Sequence, residues 1–480
     1  MTRQIHTTAP SSWGDSRPSA PPRPVTLRFE RGTLALEGLE EIGPGLAALD
    51  VTWDPRSGFH RAPPWRYGAL QEALSTETIV LCDRVPATWR VRRGDWRDVA
   101  LRPYQQAALT AWERSDRTGL VVLPTGSGKT RLALGAMAEL ACATLVLVPT
   151  RVLLHQWRRE IGTHYEGTVG MWGDGVRDPA PIMVTTFESA YRQMPRLGWR
   201  HELLVVDEAH HFGGGQRDEA LEMSTARWRL GLTATPPSRE EALAELRRLV
   251  GPTVFRTGVA DLTGTYLADF DSHVLHIALE PDERAAYEEA RRVFREWYGA
   301  FRRVAPFAEW KDAVAAANET PHGRAAMAAW RRSRRLVAYT KGKAAALAAL
   351  LSNHHGQRVL VFTSDNATAY AIARRHLLVP MTCDIGRNER DAMLARFGEG
   401  ELRGLVSSRV LNEGLDVPEA EVGIVVGGTR GGTGEHVQRI GRLLRPAPGK
   451  RATVYELVAD RTVEVRQAEA RRDGLTWGSR

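Results

Sequence analysis

An apolar run, Gly119-Leu120-Val121-Val122-Leu123, stops at Pro124-Thr125-Gly126-Ser127-Gly128-Lys129-Thr130 and gives way to a helical pattern starting Arg131-Leu132-Ala133-Leu134. A buried strand, a glycine-rich turn and a helix in immediate succession point to an α/β fold, because that order builds a parallel sheet covered by helices. The glycines let backbone N–H groups close around phosphate oxygens at a helix N-terminus. In this reading Thr125, Gly126, Ser127 and Gly128 form the cradle, Lys129 reaches the β/γ-phosphates, and Thr130 offers its hydroxyl to Mg²⁺. Lysine is scarce: Lys129, Lys311, Lys341, Lys343 and Lys450 are five of the 65 basic residues, leaving 60 arginines. A chain that otherwise uses arginine has lysine where a phosphate loop needs a compact point charge. Leu123 stands where the full loop pattern has its first glycine, so the loop by itself also fits a chance Gly/Ser turn before a helix.

At 480 residues the chain is long enough for about three domains. Net charge is +8 and the isoelectric point 9.6, which suits a polyanionic partner or simply follows from arginine-rich composition. Cys82, Cys142 and Cys383 are far apart and form no disulfide framework, pointing to a reducing cytoplasm. No apolar run reaches the ~18 residues that span a membrane. Residues 1–24, with Pro18 and Pro21-Pro22-Arg23-Pro24, read as a disordered tail.

Residues 25–95 look like a small α/β module, with strands at 25–29, 33–36 and 78–82 and a turn-rich stretch at 53–61. From 96 to 260, continuous apolar strands at 120–123, 144–148, 182–186, 203–206 and 229–232 alternate with helical stretches, as in a parallel sheet. Residues 261–340 read as a linker and a helical segment rich in Ala, Arg and Glu. A second α/β domain, 341–465, has strands at 358–362, 404–407, 422–426 and 452–456. Residues 466–480 form a polar tail.

Leu204-Val205-Val206 runs into Asp207-Glu208-Ala209-His210. An acid at a strand end is where Mg²⁺ is held against phosphates, which makes Asp207 the metal-side carboxylate. Glu208 is the candidate for deprotonating the attacking water. His210, with Thr233 and Thr235 of the Gly231–Pro236 segment, is placed to couple nucleotide state to its neighbours. Upstream, the Gln105 amide can read an adenine edge, with Arg102 or Tyr104 packing there. Arg151 and Thr186 follow strands and suit contacts to a nucleic-acid backbone.

In the second α/β domain, Arg439, Arg442 and Arg445 recur at i, i+3, i+6, which places them along one side of a helix. Such a face can point at a γ-phosphate held by another domain, so Arg442 and Arg445 are arginine-finger candidates and Gln438 a water- or phosphate-positioning amide. Gly414 and Asp416 can approach the ribose and the domain junction. Thr363 and Ser408 are candidate phosphodiester contacts.

In order and spacing, Gln105, the lysine loop, the Asp-Glu-Ala-His box, Thr233-Ala234-Thr235, Gly414/Asp416 and Gln438–Arg445 resemble a superfamily 2 helicase over nearly all of residues 98–460. Within it the chain is similar to the XPB-type DNA helicases. Glu30-Arg31-Gly32-Thr33 and Trp53-Asp54-Pro55-Arg56-Ser57-Gly58 resemble that family's damage-recognition module, and 282–340 its DNA-gripping thumb. Arg239-Glu240-Glu241 sits where the family has an Arg-Glu-Asp element implicated in strand opening; here the last acid is Glu and the spacing from Thr235 looks slightly longer. The resemblance implies two RecA-like domains, parallel sheets flanked by helices, with the small N-terminal α/β module and the thumb as additions. It also implies Mg²⁺-dependent ATP hydrolysis, 3′-to-5′ movement on DNA, a role in repair or remodelling, and a separate nuclease partner of the Bax type.

The thumb aromatics Phe294, Trp297, Tyr298 and Phe301 recur at helical spacing beside Arg291, Arg292, Arg295, Arg302 and Arg303. They fit the thumb's own core, with the arginines turned to DNA. Three alternatives stay open: an RNA helicase, a duplex DNA translocase that does not separate strands, and a nuclease or non-catalytic scaffold. Glu309-Trp310-Lys311 fits a nuclease fragment, but no Pro-Asp partner precedes it.

Overall fold

The computed structural model describes residues 23–75, 79–215, 217–237, 239–262, 266, 269–408, 420–427 and 451–473. Its described strands form three sheets.

The first sheet runs Thr52–Asp54, Phe59–Ala62, Thr33–Glu37, Arg23–Glu30, Ile79–Asp83. Alternation along the strands buries Val25, Leu27, Leu34 and Leu36 on one face, against Leu70 and Leu74 of the helix Tyr67–Leu74. The stretch 53–61, expected as turns, is a hairpin. The Asp54 carboxylate accepts from Arg56 N at 3.1 Å, and Gly58 turns with φ +74. Turn residues crowd each other there, so the two short strands had no room to show a period. Residues 89–95, expected within this module, reach across to the second sheet. Trp89 N donates to Arg200 O at 3.3 Å, and Val91 and Trp96 pack against the core of the second sheet.

The second sheet has eight strands in the order Thr253–Arg256, Thr118–Val122, Trp228–Thr233, Leu203–Asp207, Thr144–Val148, Ile182–Thr186, Val169–Gly173, Val176–Asp178. All pair in parallel except the last two. Its central strands are buried on both faces, which is why they read as unbroken apolar runs. Three strands had no such signal, namely the two at one edge and Thr253–Arg256 at the other. The pair 169–173 and 176–178 is interrupted by Gly170, Gly173 and Gly175.

The third sheet is parallel throughout: Asp269–Ile277, Arg451–Ala459, Val422–Val425, Val359–Phe362, Gly404–Ser407, Val379–Met381. Two strands differ from expectation, Asp269–Ile277 and Val379–Met381. Asp269–Ile277 lies in the stretch read as a linker, so the sheet begins before the helical insertion. Its polar residues, among them Asp271, Ser272 and His273, mark an edge strand rather than a buried one. The helix Val463–Asp473 also runs into the stretch from 466 that was expected as a polar tail; Ala468 is buried and Glu464 is only 3% exposed.

Between the first strand of this sheet and the helix Lys341–Asn353, three helices form the insertion: Pro281–Val304, Trp310–Glu319 and Pro321–Ala338. Phe294, Ala317 and Met327 are its buried centre, with Trp297, Tyr298 and Trp330 packed on them. The aromatics are therefore the insertion's core. Arg292 is exposed on the helix surface, where it pairs with Glu289 and Glu296 at 2.7 and 2.8 Å.

Candidate active site

Register brings the functional side chains together. Val122 lies beside Thr233, and Leu232 beside Asp207, so three adjacent strands end on one edge of the second sheet. In parallel α/β sheets ligands bind at that carboxyl edge. The loop 124–128 leaves the first of these strands, and Lys129 opens the helix Lys129–Leu140. Gly126 and Gly128 adopt φ +82 and +80, a region glycine enters without strain. A Cβ on Gly128 would lie 2.6 Å from Gln105 Nε2. Ser127 is fully buried and donates its hydroxyl to Pro124 O at 2.6 Å. Lys129 Nζ donates to Leu123 O at 3.3 Å, folded back over the loop. The Thr125 hydroxyl is buried without a hydrogen-bond partner.

Gln105 is placed differently from the expected adenine reader. Its amide is 1% exposed; Oε1 accepts from Arg102 N at 2.9 Å, and Nε2 donates to Ser127 O at 2.9 Å and Gly128 O at 3.2 Å. Both ends hold the chain: one caps the helix Pro103–Arg114, the other straps the phosphate loop. Tyr104 also donates to Ser127 O. Arg102 donates to Tyr266 O at 3.2 Å and lies over the Tyr266 ring. A cavity of 330 Å³ opens between Arg102, Gln105, Gly126, Gly128 and Arg131, large enough for a small ring system.

Asp207 Oδ2 accepts from Trp157 Nε1 at 2.8 Å, and Oδ1 from Glu208 N at 3.0 Å. Glu208 takes φ +49, a conformation that costs a non-glycine residue about 1–3 kcal/mol and recurs at functional sites. Burial and the adjacent Glu208 charge raise the Asp207 carboxyl above its ordinary value. Burial acts on Glu208 in the same sense, but the Lys129 ammonium and His210 outweigh it and hold Glu208 below its ordinary value. Glu208 is thus the ionised acceptor of the pair. Its Oε2 is buried, lies 3.4 Å from His210 Nδ1 and makes no hydrogen bond. His210 Nδ1 meets Thr233 Oγ1 at 3.1 Å, and Thr233 Oγ1 both donates to Thr235 O and accepts from Thr235 N. The three residues expected to couple are one hydrogen-bonded chain.

Two contributors escaped sequence reasoning. Trp157 sits on the helix Arg151–His164, fifty residues from its acceptor Asp207, and nothing local marks it. Asp174 pairs with Arg151 at 3.3 Å and with His155 at 2.9 Å. The Asp174-Gly175 dipeptide is a hairpin signal that was legible.

The backbone-contact candidates are dispersed. Arg151 is exposed at the first turn of its helix. Thr186 is buried and caps the helix Phe187–Leu197, its Oγ1 accepting from Ser189 N at 3.2 Å. Arg239, Glu240 and Glu241 open the exposed start of the helix Glu240–Leu249, where Glu240 pairs with Arg247 at 3.2 Å. Thr363 corrects an expectation: it is fully buried and its hydroxyl donates to Asp365 O at 3.1 Å, so it shapes a turn instead of facing a phosphate. Ser408 is nearly buried and donates to Asn366 Oδ1 at 2.5 Å. Gly414, Asp416, Gln438, Arg442 and Arg445 lie outside the described residues.

Residues 27–85 match a family described as the Xeroderma pigmentosum group B helicase damage recognition domain. Residues 98–238 match the Type III restriction enzyme, res subunit, and 342–447 the Helicase conserved C-terminal domain. The chain is 34% identical over 377 residues to the DNA 3'-5' translocase XPB2 of Sulfurisphaera tokodaii, covering 78% of this chain and 85% of that one. It is 29% identical over 379 residues to a putative DNA 3'-5' helicase Rad25 of Halobacterium salinarum, covering 77% of this chain and 56% of the relative. With the DNA 3'-5' helicase XPB of Mycobacterium tuberculosis it shares 26% over 385 residues, covering 77% and 63%. The chain thus spans most of the first relative and little more than half of the other two. The crystal structure of the Pyrococcus furiosus Hef helicase domain superposes with a TM-score of 0.51 at 18% identity, over 80% of this chain and all of that one, which supports the two RecA-like domains as a fold. The loop, the acidic strand end and these relationships agree, and the chain belongs to the XPB-type DNA helicases of superfamily 2, which are ATP-hydrolysing enzymes.

Proposed function

We propose that the protein couples ATP hydrolysis to 3′-to-5′ movement along DNA and separates strands in repair or remodelling. The observation that carries this reading is the meeting of Lys129, Asp207 and Glu208 at one sheet edge, with the buried, unpartnered Thr125 Oγ1 on the phosphate loop. Unpartnered buried polar groups are costly and mark a place where a ligand completes the hydrogen bonding. Lys129 and the loop N–H groups bind the phosphates, Arg102 flanks the base, and Glu208 takes the proton of the attacking water. The donor set also fits Mg²⁺: Thr130 and Asp207 would hold it, and relief of the raised Asp207 carboxyl favours a cation there. When bound, the metal neutralises charge on the phosphate oxygens.

The units of this reading are 25–95 for damage recognition, 96–260 for ATP binding, the thumb within 261–340, and 341–465 as the second helicase domain. Arg442 and Arg445, with Gln438, act from that domain on the nucleotide; Gly414 and Asp416 approach its ribose. His210, Thr233 and Thr235 relay nucleotide state. Arg151, Thr186, Arg239, Glu240, Glu241 and Ser408 line the DNA path. Three free cysteines favour a reducing cytoplasm, and among the described residues no helix is long and apolar enough to cross a membrane. A Bax-type nuclease is the proposed partner.

DNA-stimulated ATPase activity tests the assignment. Lys129→Ala should abolish it, and Arg445→Ala should bind ATP yet turn over about 10³-fold or more slowly. Retained activity in Lys129→Ala would sink the site. The relative named a translocase favours a second reading, movement on duplex without strand separation. Triplex displacement without fork unwinding would select it, and matched RNA forks would test for an RNA helicase.

A further inference from the structure

The tip of the helical insertion presents three large apolar side chains to solvent. Val304 is 87% exposed, Phe307 97% and Trp310 42%. The loop that carries them is built, not slack. Arg302 Nη1 donates to Ala308 O at 2.8 Å, Ala308 N to Ala305 O at 3.2 Å, and Glu309 N to Asp312 Oδ2 at 2.8 Å. Beneath it the aromatic core is already complete. Trp297 stacks on Phe301 with centroids 5.6 Å apart, and Trp310 packs on Trp330 at 5.1 Å. Phe307 contributes nothing to that core, yet the pinned backbone holds its ring outward.

The surroundings are cationic. Arg302, Arg303 and Lys311 flank the ring in sequence, with two carboxylates nearby: Glu309, 3.2 Å from Lys311, and Asp312, which accepts from Glu309 N. Arg303 has no carboxylate partner among the described residues. An almost fully exposed aromatic with cations on both sides in sequence is poorly suited to an apolar protein groove. It is well suited to a nucleic acid, where bases stack on aromatic faces and phosphates pair with the flanking charges. Apolar side chains also insert between base steps and part them.

We propose that the Phe307 ring stacks on a DNA base where the two strands part, with Arg302, Arg303 and Lys311 on the adjoining phosphates. This rests on the DNA-helicase reading above. The thumb then does more than hold the backbone: it caps the open end of the duplex and opposes reannealing.

The test uses the full chain and a forked DNA carrying 2-aminopurine at the junction, with DNA-stimulated ATPase measured in the same samples. The protein should change the 2-aminopurine fluorescence on binding. Phe307→Ala should lose that change and bind the fork roughly 5- to 100-fold more weakly, the value of one stacked base. Phe307→Trp should restore both. The slope of affinity against salt should be the same in Phe307→Ala, since no cation is removed, but should fall by about one in Arg303→Ala. Thermal melting should be unaltered in Phe307→Ala, because the side chain buries nothing. Unchanged fluorescence and affinity in Phe307→Ala would overturn the proposal and leave the tip as a protein-docking surface. A protein whose ATPase does not respond to DNA at all would instead fail the DNA-helicase reading itself.

Discussion

At the residue scale, charge is placed by burial. Asp207 and Glu208 are neighbours with one lysine between them and the loop, and the lysine keeps Glu208 ionised while Asp207 is pushed up. That division was not legible in the sequence, which shows only two adjacent acids. His201 makes the same point outside the site. It is buried against Trp89, its Nε2 is 3.4 Å from Ala180 O, and burial lowers it to about 4 from an ordinary 6.5. The folded protein therefore keeps His201 neutral where the unfolded chain protonates it. Its contribution is fully present above pH 6.5 and is lost as pH falls toward 4, about 3 kcal/mol across that window. Melting curves from pH 7 to 4 should show the stability gap between the protein and His201→Gln narrowing as pH falls. A gap that stays constant would exclude this role.

At the element scale, strands buried on both faces announced themselves and edge strands did not. Leu203–Asp207 and Thr144–Val148 are unbroken apolar runs because helices cover both sides. Asp269–Ile277, at a sheet edge, carries polar residues and read as linker. The phosphate loop was legible because glycine is required by geometry: Gly128 has φ +80 and Gln105 Nε2 occupies the space of a Cβ. Gly128→Ala should cost about 1–2 kcal/mol from the left-handed backbone alone. It should also displace Gln105 and weaken ATP binding. Thermal melting and nucleotide titration check both, and an alanine variant with ordinary nucleotide affinity would show that the strap is dispensable.

At the scale of the whole molecule, the insertion and the C-terminal helix are joined through one buried lysine. Lys343 Nζ donates to Val337 O at 2.7 Å, Val426 O at 2.8 Å and Glu464 Oε2 at 2.6 Å, with both charged side chains almost wholly buried. The lysine thus ties the last thumb helix, a strand end of the third sheet and the helix Val463–Asp473. Lys343→Met strands a buried carboxylate and should cost about 3–5 kcal/mol. Adding Glu464→Gln, which keeps an acceptor for Ala459 N, should recover part of that loss. Urea midpoints of the single and double variants measure the coupling; equal midpoints would mean that the pair does not act as a unit.

The sequence by itself determined the α/β class, the phosphate loop, the acidic strand end and the order of motifs, since each depends on local spacing or on runs buried from both sides. The tertiary structure alone decided which partners those groups meet. Trp157 on Asp207, Gln105 strapped to the loop, Thr363 turned inward and Phe307 turned outward are contacts between distant segments, or the lack of one. No local period encodes them, because they arise only when parallel strands come into register and helices close over the sheet.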